Sequence, residues 1–113
     1  MKNENENPNE MSAKEAYQHA TYVIGGRFPE GEKVIATSAE HAYDYARDVI
    51  KGRWPEGEAA ITGHTHKNDD TSGWAYYYAR DVIKGRWPEG EKAIAKDAEY
   101  AKKYQEFLEK LFE

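Results

Sequence analysis

The chain repeats its own sequence, and this constrains the fold more than any other feature. Residues 45–58, YARDVIKGRWPEGE, recur unchanged at 78–91, and a diverged copy, HATYVIGGRFPEGE, occupies 19–32. The arginine before the aromatic residue stands at 27, 53 and 86, so the copies follow each other after 26 and then 33 residues. An identity of this length indicates duplicated supersecondary units, which bury a common core only when they are stacked.

The unit boundaries follow from residues that can cap a helix. Ser12, Ser38, Thr71 and Asp97 each precede an apolar helical pattern, and side-chain oxygens of these types accept hydrogen bonds from the first backbone N–H groups of a helix. The middle unit is longer because it contains an insertion. The predicted segments are a disordered tail at 1–11, units at 12–37, 38–70 with an inserted loop at 62–70, and 71–96, and a cap at 97–113.

Each unit is predicted to form a long helix, a tight turn and a short helix. From Ala39 to Ile50 of the second unit, apolar residues recur at the three- and four-residue spacing of one helix face. Gly52 is predicted to end this helix in the left-handed conformation, and Pro55 suits the first turn of the short helix that follows. The expected fold is therefore all-α: a short helical repeat array of three such units with a capping C-terminal helix.

Composition narrows the classes of protein that fit. Lys and Arg total 16 against 21 Asp and Glu, which gives a net charge of -5, and there is no Cys. A disulfide framework and a thiolate site are therefore excluded. No apolar run approaches the roughly 20 residues that span a bilayer, and the Asn/Glu-rich start has no hydrophobic stretch of the kind found in signal peptides. Since catalytic motifs are also missing, we expect a cytoplasmic protein that is not an enzyme and binds no cofactor.

The stretch AYYYARDVIKGRWPEGEKAIAKDAEYA at 75–101 resembles short tandem helical repeats that are common in bacteriophage and metagenomic proteins. The shared motif is V-I-x-G-R-[WF]-P-E-G-E, and the resemblance covers residues 12 to about 104. These repeats carry no agreed activity, so no residue role is transferred from them. The resemblance implies a viral or mobile-element setting, in which small proteins often bind and block host factors. The chain departs from the repeat pattern at the 62–70 insertion.

The repeated Arg-aromatic pair has two interpretations. Arg53 and Arg86 with Trp54 and Trp87 could form a ladder for a nucleic-acid backbone and its bases. Alternatively, the aromatic ring fills the core and the arginine pairs with a nearby carboxylate. The packing interpretation is favoured because every full unit carries the pair and must regenerate its own interface. The negative net charge also disfavours nucleic acid as a partner.

Positions that differ between nearly identical units are candidates for a contact surface. Trp74 replaces His41 and Tyr77 replaces Asp44 at equivalent positions. Exposed Trp, Tyr and Arg side chains are enriched in binding hot spots, so Arg80 joins this group. The alternative is that the two aromatic residues pack against the inserted loop that precedes them.

The inserted loop supplies the remaining candidates. His64 and His66 with Asp69 or Asp70 could ligate a metal ion, but a solvated loop is the favoured interpretation. The predicted partner-binding residues are Trp74, Tyr77, Arg80, His64, His66, Asp69, Asp70 and Asp44. The expected function is a non-catalytic protein-binding module, specifically a phage-encoded inhibitor of a host defence or housekeeping protein that acts by steric blocking or by acidic-surface mimicry. The alternatives are a self-assembling structural repeat protein and a nucleic-acid-binding repeat.

Overall fold

The computed structural model describes residues 10–63 and 70–112, and within these ranges the chain is helical without a strand. The prediction of an all-α fold is therefore confirmed. The α-helices are α1 (Ala13–Gln18), α2 (Pro29–Ile35), α3 (Ala39–Tyr45), α4 (Pro55–Ile61), α5 (Ser72–Tyr78), α6 (Glu91–Ile94) and α7 (Ala98–Leu111). No helix in this part of the chain is long and apolar enough to cross a membrane.

The helical path of α1, α3 and α5 extends beyond the last α-helical residue of each. They continue as π-helical segments at His19–Ile24, Ala46–Ile50 and Ala79–Ile83. Each segment is followed by a left-handed residue, at Gly25 (φ 74°), Lys51 (φ 61°) and Lys84 (φ 61°). The prediction that Gly52 takes this role was wrong. The wide turn closes one residue earlier, because the carbonyl of Ala46 accepts hydrogen bonds from both Lys51 N–H (2.7 Å) and Gly52 N–H (3.2 Å).

Three of the four predicted helix caps are present. The side chains of Ser12, Ser38 and Asp97 accept backbone hydrogen bonds, and each of these residues has an extended backbone. Thr71 does not cap α5, because its backbone is not extended (φ -103°, ψ 12°) and its hydroxyl is buried without a hydrogen bond to the described residues. Asp70 replaces it: one carboxylate oxygen accepts from the N–H (3.1 Å) and the hydroxyl (2.6 Å) of Ser72.

The aromatic residue of each Arg-aromatic pair lies in the core. Trp54 and Trp87 are 1% and 0% exposed, and Phe28 is also buried, so the packing interpretation is confirmed. The ring lies directly over the glycine of its own short helix. A Cβ atom added at Gly57 would overlap the Trp54 ring and stand 3.2 Å from the Cβ of Ala42. The glycine in P-E-G-E is therefore required by close packing, although glycine weakens a helix by itself.

A buried tyrosine joins each later long helix to the turn of the unit before it. The hydroxyl of Tyr78 accepts from the N–H of Trp54 (2.8 Å) and donates to Glu58 (2.7 Å). Tyr45 makes the same two bonds to the turn of the first unit, and Tyr104 makes them to that of the third. We call these three arrangements the tyrosine clamps; their members are Tyr45 with Phe28 and Glu32, Tyr78 with Trp54 and Glu58, and Tyr104 with Trp87 and Glu91.

The arginine of the repeated motif orients the carboxylate of each clamp. Arg53 donates two hydrogen bonds, both of 2.9 Å, to Glu58, and Arg27 and Arg86 are paired with Glu32 and Glu91 in the same way. The clamps favour a neutral tyrosine: burial first, and the bond to Glu32 second, raise the pKa of Tyr45 to about 12. The repeat motif thus encodes the junction between adjacent units.

Candidate protein-binding surface

Five aromatic rings from three helices meet on one side of the fold. Trp74, Tyr76 and Tyr77 belong to α5, Tyr43 to α3 and Tyr100 to α7. Neighbouring ring centroids are 5.6–6.1 Å apart, which is within the range of favourable aromatic contacts. We call these five residues the aromatic face.

The aromatic face has a buried base and an open rim. Tyr43 and Tyr76 are 4% and 8% exposed, whereas Trp74, Tyr77 and Tyr100 are half-buried. The hydroxyls of Tyr77 and Tyr100 are 3.3 Å apart and hydrogen-bonded. The rim rings are therefore held by the base and by one another, and part of each ring faces solvent.

Packing between units does not require large aromatic residues at the rim. Trp74 and Tyr77 are three residues apart and so share one face of α5. At the equivalent positions α3 carries His41 and Asp44, and the junction between α1 and α3 is made with Tyr17 and His41 at 6.2 Å. The fold thus closes one junction with Tyr17 and His41, whereas the next brings Tyr43 against Trp74 and Tyr77.

Arg80 lies beside this rim in a fixed orientation. Its guanidinium carbon is 5.4 Å and 5.1 Å from the ring centroids of Tyr76 and Tyr77, close enough for cation–π attraction. It also donates two hydrogen bonds, of 2.6 Å and 2.8 Å, to Asp81. These bonds, with a further one from the Tyr43 hydroxyl (2.5 Å), lower the pKa of Asp81 despite the opposing effect of burial. Arg80 and its partner are therefore charged and held in place.

Two open clefts border Trp74. One, of about 350 Å³, lies between Trp74 and Tyr100. The other, of about 380 Å³, lies on the opposite side of Trp74, towards Ser38 and Glu40 at the start of α3. Asp70 and Trp74 line both clefts. The indole is thus a ridge with a depression on each side, and a protruding side chain of a partner can occupy either.

Asp44 stands apart from the aromatic rim. It is 3.5 Å from Arg47, which lies in the π-helical segment after α3, and burial raises its pKa. Arg47 also stacks over the Tyr43 ring at 4.9 Å and bonds to Asp48 at 2.7 Å. The acidic side chains of this region are already paired with arginines, so the structure gives acidic-surface mimicry no unpaired carboxylate at 44, 48 or 81.

Of the described residues of the inserted loop, Asp70 borders the rim, where it lines both clefts beside Trp74. His64, His66 and Asp69 lie outside the described residues. Within 10–63 and 70–112 no group of three or more His, Asp or Glu side chains could hold a metal ion. Within the described ranges the rim rings pack against Tyr43 and Tyr100, and the alternative that they pack against the inserted loop concerns residues that lie mostly outside those ranges.

The Arg-aromatic ladder is unavailable to nucleic acid in this conformation. The faces of Trp54 and Trp87 are buried, so no base can stack on them. The preceding arginines are engaged by carboxylates 2.7–2.9 Å away. Phosphate binding there would compete with an existing bidentate ion pair.

Sequence reasoning placed Trp74, Tyr77 and Arg80 together and missed Tyr100. The sequence does place Tyr100 at the position equivalent to Trp74, because Tyr100 follows Asp97 by as many residues as Trp74 follows Thr71.

No family model, curated protein or solved structure matches this chain.

Proposed function

We propose that the chain is a non-catalytic protein-binding module that contacts its partner through the rim of the aromatic face and Arg80. The observation that carries this proposal is the half-buried Trp74 ridge between two clefts, with Tyr77 and Arg80 beside it. Trp, Tyr and Arg are the residues that dominate binding energies at protein interfaces.

The arrangement is suited to binding because it is already ordered. Each rim ring is in contact with at least one other ring, and Arg80 is fixed by Asp81. Immobilising a flexible side chain costs about 0.5–1.5 kcal/mol on association. Rings and a guanidinium held in advance avoid much of that cost, so a modest contact area gives useful affinity.

The specific form of this function is steric blocking of a host protein by a phage-encoded inhibitor. It is supported by the resemblance of the repeats to those of bacteriophage proteins. Steric blocking, moreover, needs no catalytic group. The paired state of Asp44, Asp48 and Asp81 favours steric blocking over acidic mimicry.

The second unit supplies a matched variant for the test. Trp74→His combined with Tyr77→Asp gives α5 the residues that α3 carries at the equivalent positions, so helix and core are retained while the rim is removed. Wild-type and variant proteins are used to capture partners from a nuclease-treated bacterial lysate, and the bound proteins are quantified by mass spectrometry. We expect one partner to be retained by the wild type and depleted at least tenfold with the variant.

A second variant, Lys92→Ala, controls for general surface effects, because Lys92 is exposed on α6 and lines neither of the clefts beside Trp74. It should capture the partner as well as the wild type does. Equal capture by the rim variant and the wild type, with unchanged helical content, would show that the rim is not the contact surface.

A further inference from the structure

The exposed large apolar residues of the described chain are confined to its two ends. In the first unit Tyr22, Val23 and Ile24 are 82%, 69% and 46% exposed, and at the end of α7 Leu111 and Phe112 are 43% and 79% exposed. The counterparts of Val23 and Ile24 in the next two units are half-buried against the core; they are Val49, Ile50, Val82 and Ile83. In the second unit the counterpart of Val23, Val49, lines one cleft together with Gly25 and Gly26 of the unit before it, so the apolar patch of the first unit stands at a position that faces a preceding unit elsewhere in the fold.

Adjacent units are joined by three kinds of contact. The first is the tyrosine clamp. The second is a tyrosine that donates to the aspartate of the next unit, as Tyr17 does to Asp48 at 2.8 Å and Tyr43 to Asp81. The third is a ring contact between that same tyrosine and the next long helix, as between Tyr17 and His41.

At the two ends, the residues of the clamp are changed in a matching way. After α7, Phe112 and Glu113 stand at the positions of the arginine and the aromatic residue of the repeated motif, so the motif that receives a clamp tyrosine is altered there. The first unit correspondingly carries His19 where the later units carry the clamp tyrosine. A first unit placed against α7 would thus need no clamp.

The other two contacts are also replaced by compatible pairs. Lys102 of α7 stands at the position of Tyr17 and Tyr43, while the first unit has Tyr22 at the position of Asp48 and Glu15 at that of His41. Lys102 would therefore meet a carboxylate and an aromatic ring, which give ion-pair and cation–π attraction. Lys103, next to it, is exposed as well and adds positive charge opposite Glu15.

We propose that copies of this chain associate head to tail, with the first unit of one copy packed against α7 of another. The same register places the last turn of α7, with Leu111, over Tyr22 and Val23. Between the first and second units the corresponding region is formed by Gly25 and Gly26 of one and Val49 of the other. Such an interface uses two different surfaces, so its repetition produces chains or rings of copies rather than a symmetric dimer.

Sedimentation equilibrium over a wide concentration range tests this with two charge variants. The head variant, Tyr22→Lys with Val23→Lys, places positive charge opposite Lys102, and the tail variant, Lys102→Glu with Lys103→Glu, places negative charge opposite Glu15. The wild-type average mass should rise with concentration, and each variant alone should remain monomeric. An equimolar mixture of the variants retains one productive head and one productive tail, and the substituted head and tail carry opposite charges, so the average mass of the mixture should rise above that of a monomer.

Three outcomes would overturn the proposal: a wild type that stays monomeric throughout, variants that associate as the wild type does, or a mixture that stays monomeric. All four substituted side chains are exposed, so circular dichroism and urea midpoints should show the variants folded. If the head variant does not fold, Leu111→Lys tests the same contact from the tail side. The Trp74→His, Tyr77→Asp protein should associate normally, which separates a failure of this interface from a failure of the proposed partner surface.

Discussion

Removal of one hydroxyl from the middle tyrosine clamp should destabilise the whole fold. In Tyr78→Phe the ring is kept, together with its contact to Trp87 at 4.8 Å, so no cavity forms. The buried N–H of Trp54 loses its acceptor at 2.8 Å, and Glu58 loses a donor at 2.7 Å. A buried donor left without a partner costs about 1–3 kcal/mol, and a lost bond to a carboxylate that keeps its arginine adds about 1 kcal/mol. The free energy of unfolding should fall by about 2–4 kcal/mol.

Urea unfolding followed by circular dichroism and by tryptophan fluorescence measures this loss, and coincident transitions verify that one cooperative step is observed. Tyr22→Phe is the matched control, because that side chain is 82% exposed and its hydroxyl removal should change stability by less than about 0.5 kcal/mol. A Tyr78→Phe midpoint equal to that of the control, at the same slope, would refute the view that the clamps hold adjacent units together.

Two further results are expected from the packing and from the tyrosine ionisation. Gly57→Ala should destabilise the fold by about 1–3 kcal/mol, because the added Cβ overlaps the Trp54 ring. The Cβ added in Gly52→Ala meets no atom within 4 Å, so this variant should be neutral or stabilising by up to about 1 kcal/mol. Thermal melts that rank the two variants in the opposite order would contradict this. At alkaline pH the fold should weaken, because the pKa of Tyr45 is about 12 in the folded protein and about 10 in an unfolded chain. Because folding raises this pKa, the contribution of neutral Tyr45 to the free energy of unfolding is complete below about pH 10. It is lost as the pH rises towards about 12. Urea midpoints should therefore fall across this interval, and less steeply for Tyr45→Phe; a flat profile would show that the clamp hydroxyls do not contribute.

Sequence patterns predicted most of the helices because their signals are local. Apolar spacing from Ala39 to Ile50, a proline at the start of α2 and of α4, and the side chains of Ser12, Ser38 and Asp97 all act within a few residues. Predictions failed where the backbone path decided the outcome. Lys51 rather than Gly52 is left-handed because a π-helical turn shifts the helix end, and no side-chain pattern records that shift.

Only part of the candidate surface was predicted, because sequence differences mark some of its residues and tertiary packing brings in the others. Differences between nearly identical units drew attention to Trp74 and Tyr77, which is a property of the sequence alone. The nearness of Tyr100 to Tyr77 depends on how α7 packs against α5, so it became visible only in the structure.

The sequence by itself determined the all-helical class, the period of the units and the burial of the aromatic residue of the repeated motif, because a repeated motif must serve the contact that every unit shares. Only the tertiary structure decided which atoms make that contact. A hydroxyl on one helix meets an N–H and a carboxylate 13 to 24 residues away in the chain, and hydrogen bonds over such separations are fixed by distance and angle in three dimensions, which the order of residues does not specify.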